Sequence, residues 1–187
     1  LLAQYCAQGQ LNPLWRKKPV PVECAVSFES NDYLALGQNP GLIAAYQEGY
    51  ARFGTSSSAS PMLSGYTEAH QTLESRFCTL FEEQDAMLFS SGFAANLAIG
   101  RMLGALSAYV VLDKASHASI YDSLDRHKVI MQRFTGKEQP VLLGTKIEPD
   151  MNTPQVVWLE GVYSMSGYTP CFKELERLFP DAVYIFD

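Results

Sequence analysis

The sequence predicts an α/β fold, a mostly parallel sheet flanked by helices, and three observations carry that prediction. From Ala86 onward, β-rich runs alternate with helical patterns, the order expected of βαβ units. Val183 to Phe186 is a continuous apolar run, as a strand buried on both faces of a parallel sheet requires. Three strand-like runs end in small polar loops: Ala86–Phe89 into Ser90-Ser91-Gly92-Phe93, Tyr109–Leu112 into Asp113-Lys114-Ala115-Ser116-His117, and Ala182–Phe186 onto Asp187. Ligands of open α/β sheets sit outside the carboxyl ends of the strands, so those loops are candidates for one shared site.

Taken in order, residues 1–38 read as an N-terminal arm or linker. Its first part, to about Phe28, is broken by Pro13, Pro19 and Pro21. A helix follows with Asn39 as N-cap, Pro40 in the first turn and Gly54 past its end. Leu42, Tyr46, Tyr50 and Phe53 give it one apolar stripe. Thr55 to Ser60 is a loop by its run of small hydroxyl residues. A second amphipathic helix runs from Glu68 to Phe81. Strands are expected at 86–89, 109–112, 129–134, 155–159 and 182–186, with helices at Ala94–Leu106, Ser119–Arg126 and Phe172–Phe179 between them. The apolar strand that stops at Asp187 has no following helix to cover it, so a longer parent protein is expected.

Composition narrows the function classes. Hydrophobic residues make up 47% and charged residues 18%, which is an ordinary globular balance. A net charge of −6 argues against a nucleic-acid partner, and Arg16-Lys17-Lys18 is too short a run to reverse that. No apolar run approaches the roughly 20 residues that span a bilayer, so no membrane partner is expected. Cys6, Cys24, Cys78 and Cys171 show no paired spacing. They read as buried free thiols in a reducing, cytoplasmic compartment, and no metal site is indicated.

The candidate chemistry lies in the loops. Gly92 lets backbone approach a ligand, and the N–H groups at the following helix start favour a phosphate, although a plain βα turn has the same pattern. His117 follows a strand, with Ser116 placed to cap the next helix. Its imidazole can stack on a ring or donate a hydrogen bond, or simply be satisfied at a helix start. Ser164, in Glu160-Gly161-Val162-Tyr163-Ser164-Met165-Ser166-Gly167, can bond a ligand hydroxyl or carboxylate, or its own backbone. Asp187 at a strand end needs a cationic partner, either a protonated ring nitrogen or a Lys or Arg. An anion cradle, an imidazole and a carboxylate together suit a planar, phosphorylated, nitrogen-containing cofactor. No G-x-G-x-x-G follows the first strong strand, which disfavours a nucleotide-binding domain.

Together these segments resemble the α-oxoamine synthases, a family of fold-type I pyridoxal 5'-phosphate (PLP) enzymes. The matching stretches are Ser30–Leu36, Phe53-Gly54 leading to Ser64-Gly65-Tyr66, His70–Glu74, Leu88–Asn96, Asp113–Ser119, Glu160–Met165 and Phe186-Asp187, in family order from about Phe28 onward. The resemblance implies an aminotransferase-like PLP fold, with 39–187 as the first part of its large domain. It implies that Gly92 and Phe93 hold the phosphate region, His117 stacks on the pyridine ring and meets substrate, Ser164 contacts the ring hydroxyl, and Asp187 pairs with the ring nitrogen. Arg16 matches an arginine that meets the substrate carboxylate. The implied reaction is decarboxylative condensation of an amino acid, expected to be L-alanine, with an acyl-CoA thioester, expected to be pimeloyl, in a homodimer. Relatives using glycine or serine, and a non-catalytic lysine-less partner subunit, are the alternatives.

This chain departs from the family pattern at three places. The glycine-rich loop reads Thr55-Ser56-Ser57-Ser58-Ala59-Ser60-Pro61, and Asp-Gly-Asp after Met165 is replaced by Ser166-Gly167-Tyr168. The family's Schiff-base lysine lies beyond the Asp187 position, and none of the lysines present sits in its motif. The stretch by itself is therefore expected to be inactive.

Overall fold

The computed structural model describes residues 30–187. The proline-bearing arm to Phe28, Arg16, Cys6 and Cys24 lie outside the described residues. The chain divides into two units, Leu1–Ala69 and His70–Asp187.

In the described part of the first unit, the Asp32 carboxylate accepts from the N–H groups of Leu36 and Gly37 at 2.8 and 2.9 Å, which starts a 3-10 turn over Leu36–Gln38. Helix α1 spans Pro40–Phe53. It is punctuated as its sequence requires: Asn39 Oδ1 accepts from Gly41 and Leu42, and Gly54, at φ 77°, donates its N–H to Tyr50 O. Its apolar stripe is not buried within the described residues, and Tyr46 and Tyr50 remain 67% and 57% exposed. Helix α2 spans Glu68–Phe81.

The second unit holds the sheet. Its strands are β1 (Tyr109–Asp113), β2 (Ile130–Thr135), β3 (Val141–Leu143), β4 (Gln155–Leu159) and β5 (Val183–Phe186), in the spatial order β3-β2-β1-β4-β5. β1 pairs in parallel with β2 and β4, and β4 with β5; only β2–β3 is antiparallel. Helices α3 (Gly92–Ala105), α4 (Ala118–Ser123) and α5 (Phe172–Leu178) complete the unit. Every residue of β1 is buried, and its alternating side chains feed two cores. Val110 and Leu112 join Leu103, Ile120, Val156 and Trp158 on one face, while Tyr109 and Val111 join Phe134, Val157, Leu159 and Leu175 on the other. Helices therefore cover both faces at β1 and β4, and each fully buried apolar side chain there stabilises the fold by about 1.5–3 kcal/mol.

Three expectations are corrected. Residues 86–89 form no strand: the segment joins no ladder, and Leu88 N–H bonds the Glu74 carboxylate at 3.2 Å instead. The short strand β3 was not expected, because three residues give too little periodicity to read. It is made by a turn at Gly136 (φ 118°), where a Cβ would stand 2.3 Å from Gln139 O. α4 stops at Ser123, short of Arg126, because Leu124 is extended and Asp125 O takes the N–H groups of Lys128 and Val129 in a turn. The apolar run over 183–186 forms a strand as expected, and β5 pairs in parallel with β4.

Candidate active site

The strand order fixes where the site lies. From β1 the chain moves to β2 on one side, then returns across β1 to β4 on the other, so the order reverses at the β1–β4 junction. A crevice opens outside the carboxyl ends of the strands at such a junction. A cavity of about 290 Å³ lies there, lined by Gly92, Phe93, Asn96, His117, Ser119, Glu160, Ser164 and Asp187. Gly92, Phe93, His117, Ser164 and Asp187, expected from the sequence to share a site, all line it.

Each wall has a local cause. Ser91 caps α3 by accepting the Ala94 N–H at 3.1 Å, so the helix starts at Gly92, two residues earlier than the sequence pattern suggested. A Cβ added at Gly92 would meet nothing within 4 Å, so open space borders the backbone at the helix start. On the β1 side, Asp113 is buried and accepts from Ala115 N–H at 2.7 Å and from the Tyr168 hydroxyl at 2.6 Å. Tyr168 stacks on Tyr163 with ring centroids 4.5 Å apart, and its bond to Asp113 ties the loop after β4 to the end of β1. Burial, and then the Asp113 carboxylate, push both phenols well above the usual tyrosine range, so they stay protonated.

His117, not Ser116, caps α4: its Nδ1 accepts the Ser119 N–H at 3.2 Å, while Ser116 Oγ is buried without a partner. The reason is position: the helix starts at Ala118, so His117 and not Ser116 occupies the N-cap. The His117 backbone N–H donates to Glu160 Oε1. Burial raises the Glu160 carboxyl above its ordinary value; the His117 N–H bond opposes this and the Asp187 charge adds to it. Asp187 holds its place through its own backbone, donating N–H to Leu159 O at 2.8 Å and accepting from Gly161 N–H at 3.1 Å.

Sequence reasoning assigned no role to three residues that the fold brings to the cavity: Asn96, Ser119 and Glu160, all buried. Asn96 Nδ2 donates both to Ser119 Oγ (2.9 Å) and to Asp187 Oδ2 (3.1 Å). A signal existed, because Asn96 and Arg101 are the only polar side chains of the otherwise apolar α3. Gly100 brings the helices together one turn further on, where a Cβ would stand 2.3 Å from Ser123 Oγ. Asn96 and Gly100 thus face Ser119 and Ser123 as two matched i, i+4 pairs.

A mostly parallel sheet flanked by helices, with a cavity at the strand reversal, is the architecture of the fold-type I enzymes, and the comparisons place the chain among them. The chain belongs to the class I and II aminotransferase family, whose model matches residues 25–186. It is 38% identical over 152 residues to the 8-amino-7-oxononanoate synthase of Citrobacter koseri, covering 81% of this chain and 39% of that one. A serine palmitoyltransferase from S. paucimobilis, solved with PLP and myriocin bound, matches with TM-score 0.69 and 29% identity over 83% of this chain and 41% of its own. The 8-amino-7-oxononanoate synthase of Francisella tularensis matches with TM-score 0.66 and 28% identity, covering 86% and 44%. The chain thus spans about two-fifths of the length of the relatives it matches. Both kinds of neighbour are α-oxoamine synthases, PLP-dependent acyltransferases. Among the described residues no helix is long and apolar enough to cross a membrane, no cluster of metal-ligating side chains occurs, and Cys78 and Cys171 are free but half-buried rather than buried as expected.

Proposed function

We propose that this chain forms the arm (1–38) and the first part of the PLP-binding large domain (39–187) of an 8-amino-7-oxononanoate synthase. The whole protein would condense L-alanine with a pimeloyl thioester in biotin biosynthesis, as a cytoplasmic homodimer. The observation that carries the reading is the convergence of Gly92, His117, Ser164 and Asp187 on one cavity of about 290 Å³. The lining fits the cofactor. Open space at Gly92 leaves room for a phosphate against the α3 start, and the cavity places an imidazole and a carboxylate with it.

Bound there, PLP would supply an electron sink for the amino-acid carbanion. Every other role falls to the chain. Gly92 and Phe93 bind the phosphate end, and Gly92 does so because no side chain fills the space before it. His117 covers one face of the ring and excludes water from it. Ser164 donates to the ring hydroxyl. Asp187 accepts from the ring N–H and keeps that proton in place, since a neighbouring carboxylate favours the charged form of its partner. Glu160 fixes the His117 loop through the backbone N–H. Arg16, outside the described residues, would meet the substrate carboxylate.

The test is an assay of coenzyme A release from pimeloyl-CoA by the full-length protein, with alanine, glycine and serine offered in turn. Release that depends on alanine and on added PLP is expected. Turnover only with glycine or serine moves the protein to a sibling activity, and no PLP binding at all overturns the reading.

A further inference from the structure

We propose that Asn96 and Ser119 are positioning residues: they join the Asp187 carboxylate to the His117 imidazole and fix which imidazole nitrogen carries the proton. Three contacts form the chain of bonds. Asn96 Nδ2 lies 3.1 Å from Asp187 Oδ2 and 2.9 Å from Ser119 Oγ, and Ser119 Oγ lies 2.7 Å from His117 Nδ1.

The direction of every bond follows from donor and acceptor chemistry. An ionised carboxylate only accepts, so it turns the Asn96 amide to present its NH₂ group. That group only donates, so Ser119 Oγ must accept from it. The Ser119 hydroxyl keeps one proton and one lone pair, so by itself it can serve His117 Nδ1 in either sense. The Ser119 backbone N–H, which can only donate, lies 3.2 Å from Nδ1 and settles the sense. Nδ1 therefore carries a lone pair, and the proton of the neutral ring sits on Nε2. Asn96 and Ser119 are 4% and 2% exposed and the bond between them is buried, whereas His117 and Asp187 stand exposed at the two ends of the series. Orienting two groups from one buried pair also explains why a lone amide sits in the apolar α3. The tautomer is a property of the chain itself; its use in holding a cofactor ring rests on the function proposed above.

The test uses the full-length protein with ¹⁵N-labelled histidine and long-range proton–nitrogen NMR near pH 8, before and after PLP is added. His117 is identified by its loss in His117→Gln. The expected result without PLP is a neutral ring protonated at Nε2. In Ser119→Ala the Nδ1 resonance moves downfield as it loses a donor, and Ser119→Thr restores it. In Asn96→Ala, PLP binds about tenfold more weakly because Asp187 loses a donor. An Nδ1-protonated ring in the wild type, which needs no variant to observe, overturns the proposal. So does an Nδ1 resonance that Ser119→Ala leaves in place. If the resonances behave as expected but PLP binds neither form, the relay stands and the cofactor reading fails.

Discussion

At the Gly92 end of the cavity the chain offers backbone and open space, whereas at the His117 end it offers side chains already bonded to one another. A Cβ at Gly92 would touch nothing within 4 Å. His117, Ser119, Asn96 and Asp187, by contrast, form a continuous hydrogen-bonded series. The first end is defined by what has been left out, so a substitution there changes binding without disturbing the fold. The second is preset by its neighbours, so a substitution there changes geometry as well as contact. Preorganised side chains suit a planar ring whose proton must stay in place; an anion needs only N–H groups and room.

The largest effect expected is at the preset end. Asp187→Ala should weaken PLP binding to the full-length protein about 30-fold, the worth of a hydrogen bond to a charged group, as read by fluorescence titration. An unchanged affinity would detach this end from the cofactor. Next comes Gly92→Ala, expected to cost about tenfold in PLP affinity while the thermal midpoint barely moves, because the added Cβ meets no protein atom within 4 Å. A large loss of stability in that variant would erase the distinction between the two ends.

Tyr168→Phe sharpens the comparison further. It removes the hydroxyl that donates to Asp113 at 2.6 Å and ties the loop after β4 to the end of β1, so urea unfolding should show a loss of about 1.5 kcal/mol. The smallest effect is that of Glu160→Gln on pH dependence. Burial raises the Glu160 carboxyl above its ordinary 4.5, so the folded state holds that proton more readily than the unfolded chain. Stability from this group is complete below 4.5 and is lost as pH rises through the raised folded value. Thermal midpoints should therefore fall with rising pH above 4.5 more steeply in the wild type than in Glu160→Gln. Parallel curves would show that Glu160 is not responsible.

The replacement of the family's acidic pattern after Met165 gains a meaning that only the fold could give. Tyr168 fills that position with a stacked ring and a donor to Asp113, and the loop closes through Gly167 N–H to Tyr163 O at 2.7 Å. The Ser-rich stretch 55–60 is a loop in the structure, as its composition required.

By itself the sequence determined the strands β1, β2, β4 and β5, helix α1 with its caps, helix α2, and five of the residues that line the cavity. These follow from periodicity, from capping chemistry and from loops that must emerge at strand ends, all of which act over a few neighbouring residues. Only the tertiary structure decided that 86–89 stays out of the sheet, that β3 turns back on β2, and that His117 rather than Ser116 caps α4. It alone joined Asn96 to Asp187, 91 residues apart, because a hydrogen bond between distant segments depends on how closely two helices and a strand end approach. That approach is set by packing, here by the absence of a side chain at Gly100, and no local pattern encodes it.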